Sequence, residues 1–230
     1  MPEKRREKLK KTIIYLAVLI LFPAVAVAGA LIFDESRYMI VAVSMAILSC
    51  VPFAVSFEKK PTAKLVPLAI MTALSVAGRA VFAAVPFFKP VTAIVIICGV
   101  YLGAEAGFIC GSVSAFVSNF IFSQGPWTPF QMLAWGSIGF ISALISKPLR
   151  ESRFCICAAG AISGFYYSFV LDVYSVLWAD NAFRLPRYIE MLIASAPMTI
   201  VYAASNVVFL LLLAVPFGKK LDRLCIKYGM

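Results

Sequence analysis

Residues 119–135 read NFIFSQGPWTPFQMLAW, and the side chains in this stretch suit recognition rather than bond-making. Asn119, Ser123, Gln124, Thr128 and Gln131 are neutral hydrogen-bonding groups, and Trp127 and Trp135 are large rings. Amides beside indoles can hold a small molecule by its polar edges and by its flat faces, the combination that small-molecule pockets use. A plainer description also fits, in which the rings form an interfacial aromatic belt and the amides only solvate a turn. Gly125, Pro126 and Pro129 force that turn. Proline lacks the N–H that a helix interior needs, and glycine loses the most backbone entropy on staying helical.

Catalytic chemistry is hard to assemble from this chain. It has no His, which removes the commonest general base and the commonest metal ligand. There is no Gly-rich phosphate loop ending in Lys-Ser or Lys-Thr, no HExxH, and no pair of carboxylates on one helix. Asp172 and Glu190 stand alone. Cys155 and Cys157 have no second pair to complete a zinc site, and the six Cys read as small buried hydrophobes. The chain is therefore expected to be no enzyme, with no catalytic residue, no metal and no cofactor.

The elements that position these residues are apolar helices. Of the 230 residues 62% are hydrophobic and only 14% charged, with mean hydropathy +0.94. Several apolar runs reach the roughly 20 residues that cross a bilayer core. This composition predicts an all-α polytopic membrane protein. The net charge of +10 falls in short clusters between apolar runs. It reads as a topology signal, with anionic lipid headgroups and not nucleic acid as its partner.

A basic lead precedes an apolar run at 12–33. A cleaved signal peptide is the other reading of that run, but it exceeds the usual h-region of about 7–15 residues, so a retained helix is expected. A second span follows at 38–57, and Lys59, Lys60 and Lys64 then mark the cytoplasmic side. Six further spans are expected at 65–87, 91–102, 106–122, 128–145, 154–178 and 188–217, giving eight in all with both termini cytoplasmic. All but five of the 21 Lys and Arg (Arg37, Arg79, Lys89, Arg184 and Arg187) then lie inside. The expected division is 1–64 for the basic lead and two-helix extension, 65–218 for a six-helix core, and 219–230 for a basic tail.

This topology gathers polar and aromatic groups at the outer ends of the last six helices. Arg79, Asn119, Gln124, Trp127, Gln131, Trp135, Tyr167, Asp172 and Tyr174 are the candidate small-molecule ligands, with Lys89, Trp178 and Asn181 nearby. Arg79 with Asp172 also reads as a buried structural ion pair. Ala69, Ala73 and Ala77 repeat every four residues, so one helix face is smooth enough for another helix to approach closely. Gly99, Gly103, Gly107 and Gly111 repeat likewise, which permits close packing between the next two helices.

The region 65–217 resembles the substrate-binding S component of energy-coupling factor (ECF) transporters. The residues that carry the likeness are Ala69-x-x-x-Ala73, the segment PVTAIVIICGVYLGAEAGFICG and the block SNFIFSQGPWTPFQMLAWG. The resemblance implies a vitamin-capture subunit without an ATPase of its own. It would dock through Ala69, Ala73 and Ala77 onto a transmembrane coupling (T) component carried by two cytoplasmic ATPases, and topple to deliver its cargo inward. The QGPWTPFQM block is similar to S components associated with cobalamin and related corrinoids. Riboflavin, a queuosine precursor or another small vitamin stay open as cargo. A non-transporting membrane scaffold is the alternative from another class, and a secondary transporter a third. The two leading helices depart from the six-helix pattern.

Overall fold

The computed structural model describes residues 64–180 and 183–228. The two leading helices expected at 12–33 and 38–57 lie outside the described residues, as does Asn181. Among the described residues every regular element is helical: α1 (Leu65–Val81), α2 (Val91–Leu102), α3 (Ala104–Phe122), α4 (Thr128–Leu144), α5 (Ser146–Glu151), α6 (Arg153–Asp180) and α7 (Leu185–Tyr228).

Three of these, α3, α6 and α7, are long and apolar enough to cross a membrane by length and composition, and α1 and α2 are shorter apolar helices. The span expected at 91–102 is 12 residues long, which is about 18 Å at 1.5 Å per residue and less than a bilayer core. Protein encloses it. Eleven of its 12 residues are buried, and it packs against α1, α3, α4 and α7. A helix apolar on every side is the kind that sits inside a bundle.

Other boundaries move for local reasons. α1 stops at Val81 rather than running to 87: Phe82 leaves the helical conformation (φ −90°, ψ 21°), and the chain then turns, with Phe87 left-handed (φ 60°), before Pro90. The basic loop KPLRESR folds largely as the short helix α5. The supposed tail from 219 continues α7, which carries Pro197 and Pro216 inside it.

Apolar side chains gain little by leaving lipid for protein, so backbone proximity and hydrogen bonds must hold such a bundle. Glycine supplies the proximity. A Cβ added at Gly99 would lie 2.0 Å from the Gly139 carbonyl oxygen, and one at Gly139 would lie 2.3 Å from that of Gly107. Gly111 meets the Trp135 and Gly136 backbone in the same way. Helices α2, α3 and α4 therefore touch backbone to backbone. Gly103 does a different job from its three repeat partners. Nothing lies within 4 Å of its Cβ position, and φ 104° with ψ 173° is a conformation that glycine alone adopts readily. It breaks α2 from α3.

Hydrogen bonds fasten the rest. Ser112 Oγ donates to the Met132 carbonyl at 3.0 Å, and Asn206 Nδ2 to that of Gly160 at 3.0 Å. The C-terminal end of α2 is covered by cations, which suits its unpaired carbonyls and its dipole. Arg150 Nη2 donates to the Val100 carbonyl at 2.9 Å, its guanidinium lies over Tyr101, and it pairs with Asp222 at 3.2 Å. Lys64 reaches the Leu102 carbonyl. Arg150 and Lys64, two of the basic residues expected inside, thus meet at the C-terminal end of α2.

Candidate functional site

At the opposite end a chain of polar contacts runs from α1 through α3 and α4 to α6. It begins at Arg79 in the last turn of α1. Arg79 Nη1 donates to Ser118 Oγ and, at 2.8 Å, to Asn119 Oδ1. Asn119 is fully buried and donates in turn to Thr128 Oγ1 at 2.8 Å and Gln131 Oε1 at 2.9 Å. Gln131 Nε2 donates to the Tyr167 hydroxyl at 3.0 Å. The Tyr167 ring stacks on Trp135, with centroids 4.9 Å apart and planes 18° apart, and Trp135 Nε1 donates to Thr92 Oγ1 at 3.2 Å.

Local sequence explains why these groups meet. Pro129 is tolerated in the first turn of α4, where its missing N–H is not needed. The Thr128 N–H closes a turn onto the Gly125 carbonyl at 2.9 Å. Gly125 lies against the Trp127 indole, where a Cβ would fall 2.3 Å from the ring. Gln131 and Trp135 then follow Trp127 and Thr128 at helical spacing, on the buried side of α4. The loop before α2 is clasped to α7: the Lys89 N–H donates to Ser205 Oγ at 2.9 Å, and that hydroxyl donates back to the Lys89 carbonyl at 3.1 Å. Phe87 of the loop meets Tyr202, and Tyr202 lies 5.1 Å from Tyr167.

Five of the sequence candidates, Arg79, Asn119, Gln131, Trp135 and Tyr167, form this one network. Gln124 joins at the exposed rim, accepting from Thr128 Oγ1 at 3.0 Å. Trp127 and Tyr174 belong to an adjoining aromatic group with Phe130 and Trp178. Asp172 stands apart. It accepts from Ser195 Oγ at 2.7 Å and from Ser168 at 3.5 Å, and Ser168 contacts Thr199. The Arg79–Asp172 ion pair is therefore not formed: hydroxyls bind the carboxylate, while Arg79 bonds neutral groups through Nη1 and its guanidinium lies over the Phe122 and Trp135 rings. Sequence reasoning passed over Ser118, Thr92 and Tyr202. Ser118 adjoins Asn119, and Thr92 is a lone hydroxyl in an apolar run, faint signals without a known fold.

The network makes a direct prediction. In Asn119→Ala, Gln131, Thr128 and Arg79 each lose a buried or half-buried partner. A cost of roughly 2–3 kcal/mol is expected, since a buried polar group left unpaired costs about 1–3 kcal/mol. Thermal unfolding in detergent checks this, and a variant as stable as the wild type would show that the network carries no stability.

On α1, the buried stripe of Leu68, Met71, Thr72 and Ser75 leaves Ala69, Ala73 and Ala77 exposed. These three alanines line a groove of about 670 Å³ whose other wall is Ile109, Val113, Val117 and Ile121 of α3.

Helices of this length and apolarity, arranged around a buried polar and aromatic network at one end, define a helical membrane protein with a candidate small-molecule site. A family model described as ECF-type riboflavin transporter, S component, matches residues 59–223. The chain belongs to that family, and is a non-enzymatic, substrate-binding subunit of a vitamin-type membrane transporter. S components work with a transmembrane T component and ATPases. No curated protein and no solved structure matches the chain.

Proposed function

We propose that this chain captures a flavin-type vitamin, riboflavin or a close relative, from the outer side of the membrane at the Arg79–Tyr167 network. It then passes the cargo inward through a T component and two cytoplasmic ATPases. The observation that carries the reading is the Trp135–Tyr167 stack with the Asn119 and Gln131 amides at its side. A flavin has a flat tricyclic face to extend the stack and an imide edge to pair with amides. The family match supports the same cargo. The corrinoid expected from the QGPWTPFQM block has no support from the comparisons.

Riboflavin fluorescence tests the substrate directly. Purified protein in detergent is expected to quench it saturably at or below micromolar concentration, through stacking on Trp135. Cobalamin and cobinamide in excess should not compete. Quenching that is absent, or abolished by cobalamin, would overturn the flavin assignment.

The exposed Ala69, Ala73 and Ala77 face is proposed as the docking surface for the T component, because small side chains allow the close helix approach that packing in lipid depends on. Ala69→Leu with Ala73→Leu is expected to leave riboflavin affinity within about twofold, while ATP-driven uptake in cells carrying the coupling module falls at least tenfold, a loss of about 1.4 kcal/mol or more in coupling. Normal uptake by the double variant would remove this face from the docking role.

A further inference from the structure

Asp172 is a carboxylate without a counter-charge, set between two helices long and apolar enough to cross a membrane. At 1.5 Å per residue it lies about 12 Å from the end of α6 at Asp180, and Ser195, its partner, about 15 Å from the start of α7 at Leu185. It forms no salt bridge among the described residues. Arg187, in the first turn of α7, is held by Asp180 and Glu190, and Arg79 bonds Asn119. An ionisable side chain at such depth is costly, and it commonly marks an ion or proton site.

Ser168 and Asp172 stand one turn apart on α6, Ser195 and Thr199 one turn apart on α7, and their oxygens close a ring. Ser195 Oγ lies 2.7 Å from Asp172 Oδ2, and Oδ2 lies 3.5 Å from Ser168 Oγ. Ser168 Oγ lies 2.6 Å from Thr199 Oγ1, which lies 3.1 Å from the Ser195 carbonyl oxygen. The ring thus has four contacts and only three hydroxyl protons. If Thr199 donates to the carbonyl, Ser168 must donate to Thr199, and the carboxylate keeps Ser195 alone. If Thr199 donates to Ser168, the carbonyl loses this donor. The Leu192 carbonyl, 3.3 Å from Ser195 Oγ, competes for one of the same protons. Asp172 Oδ1 has no hydrogen-bond partner among the described residues. Pro197 cannot donate to the Ile193 carbonyl, so this turn of α7 also carries a carbonyl without its usual amide donor.

A positive ion can stand where the donor is missing. Carboxylate, hydroxyl and carbonyl oxygens suit hard cations, and one carboxylate balances one positive charge, whereas calcium sites commonly gather several acidic groups. Oxygens this close together suit sodium, the smaller of the abundant alkali ions. We propose that Ser168, Asp172, Ser195 and Thr199 form a sodium site that ties α6 to α7. A proton on Asp172 is the other way to supply the charge. Sodium is favoured because a proton bridges one pair of oxygens, while here oxygens from two helices converge and Oδ1 stays open. Ser168 follows Tyr167, so the ion would fasten α6 beside the ring that stacks on Trp135.

Thermal unfolding in detergent tests the site, in sodium chloride against choline chloride at one concentration, about 0.15 M, so that ionic strength is constant. Sodium is expected to raise the wild-type midpoint saturably, by about 3 °C or more, since an ion that binds only folded protein stabilises it. Asp172→Asn keeps the side chain's shape while removing its charge, and should abolish the shift. Thr199→Val removes one ligand oxygen at nearly constant volume, and should raise the half-saturating sodium concentration at least tenfold. Should Asp172→Asn fail to fold, Thr199→Val decides. Equal wild-type midpoints in the two salts, a shift that survives Asp172→Asn, or a half-saturation unchanged in Thr199→Val would overturn the sodium site. So would a midpoint that moves with pH near neutrality and not with sodium, which would assign the missing charge to a proton.

Discussion

Trp135→Ala is expected to weaken flavin binding by about 100-fold or more, close to 2.7 kcal/mol. Two effects combine. The substitution removes the ring that stacks on Tyr167 at 4.9 Å, and with it the platform proposed for the ligand. Stacking of a base on an aromatic side chain is worth about 1–3 kcal/mol, and a flavin offers a larger face. It also leaves Thr92 without its indole donor and opens a cavity beneath α2, because Trp135 is buried. Truncating a buried Trp costs roughly 3–5 kcal/mol of stability, so the variant must be shown to be folded before its affinity is read. Trp135→Phe separates the two effects. It keeps a stacking face and most of the volume while losing the Thr92 bond, and its affinity is expected within about tenfold of wild type, or 1.4 kcal/mol. A folded Trp135→Ala that binds riboflavin normally would move the site elsewhere.

Gly139→Val is expected to stop the bundle from forming, and Gly139→Ala to destabilise it by about 3 kcal/mol or more, at or above the upper end of ordinary overpacking. The reason is what the new Cβ would meet. At Gly139 it is the Gly107 carbonyl oxygen at 2.3 Å and its carbon at 2.5 Å, which are backbone atoms that cannot rotate away. Helices α3 and α4 would have to separate, and the partners that Asn119 finds on α4, Thr128 and Gln131, would separate from it. Two other glycines calibrate the claim. At Gly160 the one close atom is the side-chain tip of Leu210, which can rotate where a backbone cannot, while Asn206 lies at ordinary contact distance, so Gly160→Ala should cost clearly less than Gly139→Ala. Gly103 has open space but a glycine-only backbone, so Gly103→Ala should cost about 1–3 kcal/mol as strain. Yield and thermal unfolding in detergent rank the three, and Gly139→Ala as mild as Gly160→Ala would refute the backbone-contact account.

Both predictions depend on contacts between residues far apart in sequence, and that is where the sequence reading reached its limit. Apolar runs with charges between them are local patterns. They determined that the chain is helical, that it belongs in a membrane and where most helices lie. The turn at Gly125, Pro126 and Pro129 is equally local, because these residues act on their own backbone. Five of the residues that meet in the polar network, Arg79, Asn119, Gln131, Trp135 and Tyr167, were legible too, since polar and aromatic side chains are few in such a chain and stand out.

Tertiary structure alone decided the partners. Opposite charge suggested Arg79 with Asp172, yet Arg79 found Asn119, 40 residues away, and Asp172 found Ser195, because helix packing and not charge sets which side chains are within reach. That the 12 apolar residues of α2 would be enclosed by protein was not legible, since apolarity is the same whether lipid or protein surrounds a helix. Four glycines at equal spacing divided into three that touch a neighbouring backbone and one that bends its own. A spacing marks which residues share a face. What that face meets depends on where the rest of the chain comes to lie.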